Sequence, residues 1–231
     1  MTKKSKIKIV VDMLMTIALL FLMPYGMVGE TVHEWIGMGI FVLFLFHHIL
    51  NRKWMENLLK GKYTLMRTIQ AILVAMVLVF MLGSMISGFI LSRYIFTFLN
   101  IKGLSSIAST VHMICGYWGF ICMSLHLGVH WSMMMKMVRR IFPKSSVLRK
   151  EIARATALVI AGYGLYAFIK RDIGSYMLLK VHFVFFDYKE PLIFFLLDYM
   201  AVMGLFVLIG HYVSEVLKNR EDFLKKEKMR R

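Results

Sequence analysis

The amino-acid sequence predicts an all-α integral-membrane protein of six transmembrane helices, and three observations carry that expectation. Hydrophobic residues fill 59% of the 231 positions and charged residues only 18%, with a mean hydropathy of +0.67. This balance excludes an ordinary soluble domain. Six apolar stretches approach or exceed the ~20 residues that a helix needs to cross ~30 Å of hydrocarbon. Of the 29 Lys and Arg residues, 23 gather between alternate stretches or in the two tails, where such residues fix the orientation of spans.

In chain order the expected spans are 9–28, 32–50, 64–91, 106–135, 152–169 and 191–213, all helical. The first has a basic start, but its apolar run is longer than the core of a signal peptide, about 7–15 residues, and no small-x-small cleavage pattern follows. It is therefore read as a retained helix, closed by Pro24. The third contains MLGSMISG at 81–88, whose Gly83, Ser84, Ser87 and Gly88 offer either close helix approach or room for a cofactor. The fourth holds both cysteines, Cys115 and Cys122. Seven residues of helix put them about 10 Å apart, too far to bond to each other. Pro143 lies in a basic connector, and Pro191 suits the first turn of the sixth span. Between the last two spans, 169–191 is aromatic and apolar yet broken by Asp172, Lys180, Asp187, Lys189 and Glu190. It reads as a lid over the outer end of the bundle or as a headgroup anchor. The chain is expected to form one domain, 1–231, with a four-helix part at 1–140 and two further helices at 141–231.

Four Lys or Arg lie in 1–8, five in 52–67, seven in 136–154 and seven in 218–231, against none in 24–32, two in 93–102 and four in 170–189. By the positive-inside rule both termini are cytoplasmic, in a multi-pass protein of the cell membrane. The net charge of +16 would suggest nucleic acid in a soluble protein. Here the basic residues face lipid headgroups, so the expected partner is the lipid membrane and not nucleic acid.

Eight histidines in so apolar a chain need a reason, because ionisable groups at membrane depth are costly. The second span carries His33 and His47 and the fourth His112 and His126, both pairs 14 residues apart. Fourteen residues fall about 40° short of four full turns, so each pair shares a helix face some ~21 Å apart along the axis. A shift of 79 residues superposes His33 on His112, Gly37 on Gly116, His47 on His126 and Asn51 on His130. Both spans thus read H-x3-G-x9-H-x3-(N or H), an internal repeat. Separated by one span, they run parallel, so His33 is expected to face His112 and His47 to face His126. Haem iron takes an imidazole on each face, and bundle interiors host such cofactors. The expected cofactor is haem b, two per chain, with Gly37 and Gly116 leaving a turn open to a porphyrin edge. The bland alternative for any single histidine is a packing residue or a proton relay. For His33, in the first turn beside Glu34, it is a surface position. A zincin helix is excluded, since Gly37 stands where its second His belongs.

His48 points about 100° away from His47. His130, beside Trp131, together with Asn51 and Arg67, is a candidate contact to a quinone or a haem propionate; Arg52, Lys53, Arg93 and Lys102 lie at depths where they could pair with propionates, the alternative being that they only fix topology. His182 and His211 have no assigned role, and none of the 21 methionines is assigned as a ligand. No phosphate loop, Ser-His-Asp set or pair of catalytic carboxylates is present, so hydrolysis and group transfer have no support.

The segments HEWIGMGIFVLFLFHHILNRKW at 33–54 and HMICGYWGFICMSLHLGVHW at 112–131 resemble the flavinylation-associated cytochrome family of small bacterial membrane proteins. The thirteen-residue spacer is also similar to that of cytochrome b in respiratory quinol-oxidising complexes. The resemblance implies haem positions at His33, His47, His112 and His126, with His130 in an H-x3-H-W ending. It implies electron transfer from the quinol pool to extracytosolic proteins carrying flavin. Two other functions remain from the residues alone: a self-contained oxidoreductase acting on a small substrate at the outer haem, and a haem-handling or proton-relay transporter.

Overall fold

The structure, a computed structural model, describes residues 3–58, 60–61, 63–99, 103–141 and 146–230, so Lys102 and Pro143 lie outside the described residues. Among these the regular elements are all helical. They are α1 (Lys3–Leu22), α2 (Tyr25–Val28), α3 (Glu30–Glu56), α4 (Leu65–Leu91), a 3-10 turn at Thr97–Leu99, α5 (Ser105–Val129), α6 (Trp131–Ile141), α7 (Val147–Lys170), α8 (Ile173–Met177) and α9 (Leu192–Arg230). Among the described residues five segments are long and apolar enough to cross a membrane: Glu30–Glu56, Leu65–Leu91, Ser105–Val129, Val147–Lys170 and Leu192–Leu224. These suit a multi-pass protein in lipid. Their surfaces leave Ile49, Val79, Val159 and Val216 more than half exposed, an apolar exterior of the kind that marks a membrane contact.

Five segments qualify where the sequence predicts six, and the difference lies in α1. It is 20 residues long, but Lys3, Lys4, Lys6, Lys8 and Asp12 occupy its first half. The uncharged run at 13–22 is about half of the ~20 residues a span needs. The helix ends at Leu22, and Pro24 stands as the N-cap of α2. Two other boundaries differ. The expected fourth span is divided at His130, where α5 gives way to α6. The expected sixth stops where the apolar run ends, whereas α9 continues to Arg230 because its tail is rich in Glu, Lys, Arg and Leu, good helix formers in any solvent.

The chain forms two compact units. The first comprises Met1–Gly61, Val79–Trp118 and Gly174–Leu197. Here α1 lies against α3, burying Val11, Met15 and Leu19 as one stripe. The Glu34 carboxylate in the first turns of α3 accepts from Ser92 Oγ and from the backbone N–H groups of Arg93, Tyr94 and Ile95, at 2.7 to 3.1 Å. This pins the turn that follows α4. From α8 onward the aromatic segment is packed rather than solvated: Tyr176 of α8 stacks on Tyr117, Trp118 Nε1 donates to the carbonyl of Met177 at the end of α8, and Phe186 beyond it lies on both Tyr25 and Phe195. Phe183, Phe185 and Tyr188 stay exposed beside it.

The second unit comprises Lys62–Leu78, Gly119–Ile173 and Asp198–Arg231. Its helices meet backbone to backbone at glycines. A Cβ on Gly128 of α5 would land on the carbonyl oxygen of Val207 in α9, one on Gly210 on that of Leu125, and one on Gly164 of α7 on that of Ala201. Lipid provides no hydrophobic drive between helices, so such close approach supplies the packing instead. Glu221 accepts the Met66 N–H at 2.8 Å, one of the orphan donors of the first turn of α4.

Candidate functional site

The first unit brings together His33 and His112. The centres of their rings are 6.1 Å apart and the planes are inclined at 71°. His112, on the second turn of α5, turns Nδ1 toward α4, 3.0 Å from the Ser84 carbonyl and 3.1 Å from Ser87 Oγ. A carbonyl can only accept, so Nδ1 carries the hydrogen and the neutral ring keeps its lone pair on Nε2. The serines are held in turn, since Ser87 Oγ donates to the Gly83 carbonyl at 2.6 Å. The small residues of α4 therefore form the cradle of this imidazole. A Cβ on Gly88 would sit 3.4 Å from His112 Cε1, and one on Gly83 would meet the Cys115 sulfur. The space at Gly83 is taken by an α5 side chain, so the close-approach reading holds there, while Gly88 stands at ordinary contact distance from the His112 ring. Both Cys115 and Cys122 are free thiols.

His33 is buried at Nδ1, and that atom has no hydrogen-bond partner among the described residues. Its neighbour Glu34 is committed to the turn at 92–95, so it is no partner for the ring. Tyr25 covers His33 edge-on at 5.9 Å, with Phe186 against Tyr25 at 5.1 Å. Burial, with Tyr188 and Glu30 nearby, pushes the Tyr25 phenol above its usual value, so this cover is neutral. One turn beyond each histidine, a Cβ on Gly37 or on Gly116 would meet nothing within 4 Å. With bonds of about 2 Å to each nitrogen, two imidazoles that shared one metal ion would have their ring centres roughly 6 Å apart. In ring separation, in the Nε2 lone pair of His112 and in the open flank at both glycines, these residues would suit a metal ion. Among the described residues, no group of three or more His, Cys, Asp or Glu side chains gathers as a metal cage.

His47 is held differently. Its Nδ1 lies 2.7 Å from Asp12 Oδ1 on α1; the carboxylate accepts, so Nδ1 donates. Asn51 Nδ2 is bound to the His47 carbonyl at 2.9 Å and is only a distant 3.5 Å from Nε2, while Asn51 Oδ1 takes the Lys8 ammonium at 2.7 Å. Asn51 is thus engaged within α1 and α3. His48 bonds the Phe44 carbonyl of its own helix. His47 belongs to the first unit, whereas His126 and His130 belong to the second, where their rings are 4.7 Å apart. Arg67 lies over the Tyr63 ring at 4.7 Å. His211 has a buried Nδ1 without a partner among the described residues, and its Nε2 is 3.6 Å from Glu215.

Comparison of the chain with protein-family models, curated proteins and solved structures gave no match. The residues themselves carry the reading. Two of them, not singled out from the sequence, organise their surroundings. Asp12 orients His47, and Asp198, 1% exposed, gathers Tyr163, Lys170 and Arg171 around it. Each is a lone carboxylate inside an otherwise apolar run, which was the available signal.

Proposed function

We propose that this chain is a membrane-bound dihaem b-type cytochrome, a subunit that carries electrons across the cytoplasmic membrane from the quinol pool to an extracytosolic flavin-carrying acceptor. The observation that carries the reading is the His33/His112 pair, with ring centres 6.1 Å apart. His112 is locked by the Ser84 carbonyl in the tautomer that leaves Nε2 free. Metal-bound histidines are characteristically fixed in this way through the other ring nitrogen. The first haem is assigned to this pair. The second is assigned to His47, whose Nδ1 is likewise engaged; its expected partner from the sequence repeat, His126, belongs to the second unit. In this reading α1 completes six spans, with both termini on the cytoplasmic side. Haem supplies one-electron chemistry, and the protein supplies ligands, orientation and the surrounding charge.

The test is a reduced-minus-oxidised visible spectrum of the detergent-purified chain with a haem-to-protein ratio. Two b-type haems per chain are expected, with one remaining in His112→Ala. A protein that purifies without haem, or a His112→Ala variant with an unchanged haem count, overturns the assignment.

A further inference from the structure

Two polar contacts fix how α1 and α3 lie. Lys8 Nζ meets Asn51 Oδ1 at 2.7 Å and Asp12 meets His47 at 2.7 Å, so four residues forward on α1 are four residues back on α3, and the pair is antiparallel. Beyond these contacts a groove of about 310 Å³ runs between the helices, lined by residues that include Leu14, Ile17 and Phe21 of α1 and Ile36, Gly39 and Leu43 of α3. Its floor is open, since a Cβ on Gly39 would meet nothing within 4 Å. The volume is that of roughly ten waters at ~30 Å³ each, yet an apolar lining gives them nothing to bond. In a bilayer such a groove fills with hydrocarbon.

The residues leading to the groove say which hydrocarbon. On α1, Lys3, Ile7, Val10, Leu14, Ile17 and Phe21 follow one another at steps of three and four residues and so form one stripe. Its five apolar members are 37 to 54% exposed, unlike Val11, Met15 and Leu19, which are buried. A cation heads this stripe. Lys3, Lys4 and Lys6 are exposed, as are Arg52 and Lys53 at the matching end of α3. The acidic residues of this end are Asp12, already engaged by His47, and Glu56. By contrast the first turns of α3, at the other end, carry Glu30 and Glu34. Trp54, 40% exposed, stands level with Lys3 to Lys6 in the antiparallel register, and Trp belongs at the boundary between membrane and water.

We propose that the groove between α1 and α3 binds an anionic phospholipid, with one acyl chain along the stripe and the phosphate held between Lys3 and Lys6. Lysines beside the membrane attract anionic lipid, and their long stems lie on apolar surface while the ammonium reaches the headgroup. A zwitterionic lipid offers the same chain, but its own cation meets the cationic end. None of these residues is an assigned haem ligand, so the site stands whether or not the dihaem reading does.

The test counts phospholipids retained by the detergent-purified full chain, by native mass spectrometry, after addition of phosphatidylglycerol or of phosphatidylcholine with the same acyl chains. Wild type should hold phosphatidylglycerol about tenfold more tightly, a difference of ~1.4 kcal/mol. Gly39→Leu fills the groove from an open position and should abolish the retention. Lys3→Gln/Lys6→Gln should lower phosphatidylglycerol to the level of phosphatidylcholine. Lys150→Gln/Lys226→Gln removes the same charge from exposed positions elsewhere and should leave the preference in place. Equal retention of both lipids by wild type overturns the proposal, as does a preference that survives in the Lys3/Lys6 variant or falls equally in both lysine variants. Undiminished retention in Gly39→Leu also overturns it. A wild-type dimer that becomes monomeric in Gly39→Leu assigns the groove to a second copy and overturns it too. If Gly39→Leu fails to fold, the two lysine variants decide.

Discussion

Two sites, one in each unit, treat their buried polar groups in opposite ways. In the second, the Asp198 carboxylate is fully enclosed and fully spent: Tyr163 donates to one oxygen, and Lys170 Nζ and Arg171 lie at 2.9 and 2.7 Å from the other. In the first, His33 keeps a buried Nδ1 without a partner among the described residues, and His112 gives Nδ1 to the Ser84 carbonyl, which leaves the lone pair of its neutral ring on Nε2. A polar group inside an apolar protein is expensive to leave unmade. Where the chain closes every valence it is building structure, and where it leaves one open beside empty space it is holding a place for something. By this criterion His211, with a buried Nδ1 lacking a partner among the described residues, is the point of the second unit that resembles the first.

Breaking the closed cluster should have the largest effect. Asp198→Ala strands the Arg171 guanidinium, only 13% exposed, and the Lys170 ammonium, which at 39% exposed is partly solvated. Removing one partner of a buried ion pair costs about 3–5 kcal/mol. The expected outcome is a large drop in unfolding temperature in detergent. Unchanged thermal stability would show that the cluster is surface decoration.

A smaller loss is expected at the glycine crossing of the second unit. In Gly128→Ala the added methyl lands on the Val207 carbonyl oxygen, and neither backbone can yield as a flexible side chain would. Overpacking of this kind costs about 1–3 kcal/mol. Against it stands the gain in helix propensity from Gly to Ala, up to about 1 kcal/mol, so a net loss should remain in the same unfolding measurement. A stability equal to or above wild type would mean that α5 and α9 are not in contact there.

How much of this was legible beforehand depended on whether the signal was local. The 14-residue intervals and the glycine one turn after His33 and His112 are properties of single helices, so they could be read from spacing, and the structure does place His33 against His112. The Asp12–His47 and Asp198–Arg171 contacts join residues 35 and 27 positions apart. No periodicity encodes which distant helix a carboxylate will meet. The MLGSMISG run was legible as small, but whether its space would admit a neighbouring helix or a cofactor depended on the side chains of α5, and His112 and Cys115 take it. Helix ends were misplaced where hydropathy stops informing on structure. The polar tail of α9 is helical by propensity rather than by lipid contact, and the charges of α1 shorten its apolar run without ending the helix.

Gly116→Ala sharpens the comparison most finely, because it makes the same change as Gly128→Ala on the same helix and the structure predicts the opposite sign. A Cβ at Gly116 meets nothing within 4 Å, so there is no collision to offset the propensity gain. Haem-free protein should become more stable by roughly 0.5–1 kcal/mol. If that open flank receives the edge of a porphyrin, the methyl takes up space the macrocycle needs. The haem of the His33/His112 centre should then be bound more weakly and be lost first on dilution or on competition with a haem-binding acceptor protein. Stabilisation accompanied by undiminished haem retention would place the macrocycle elsewhere than beside Gly116. Stabilisation with selective haem loss would separate the two uses of glycine in α5, one residue reserving space for a ligand and the other bringing two backbones together.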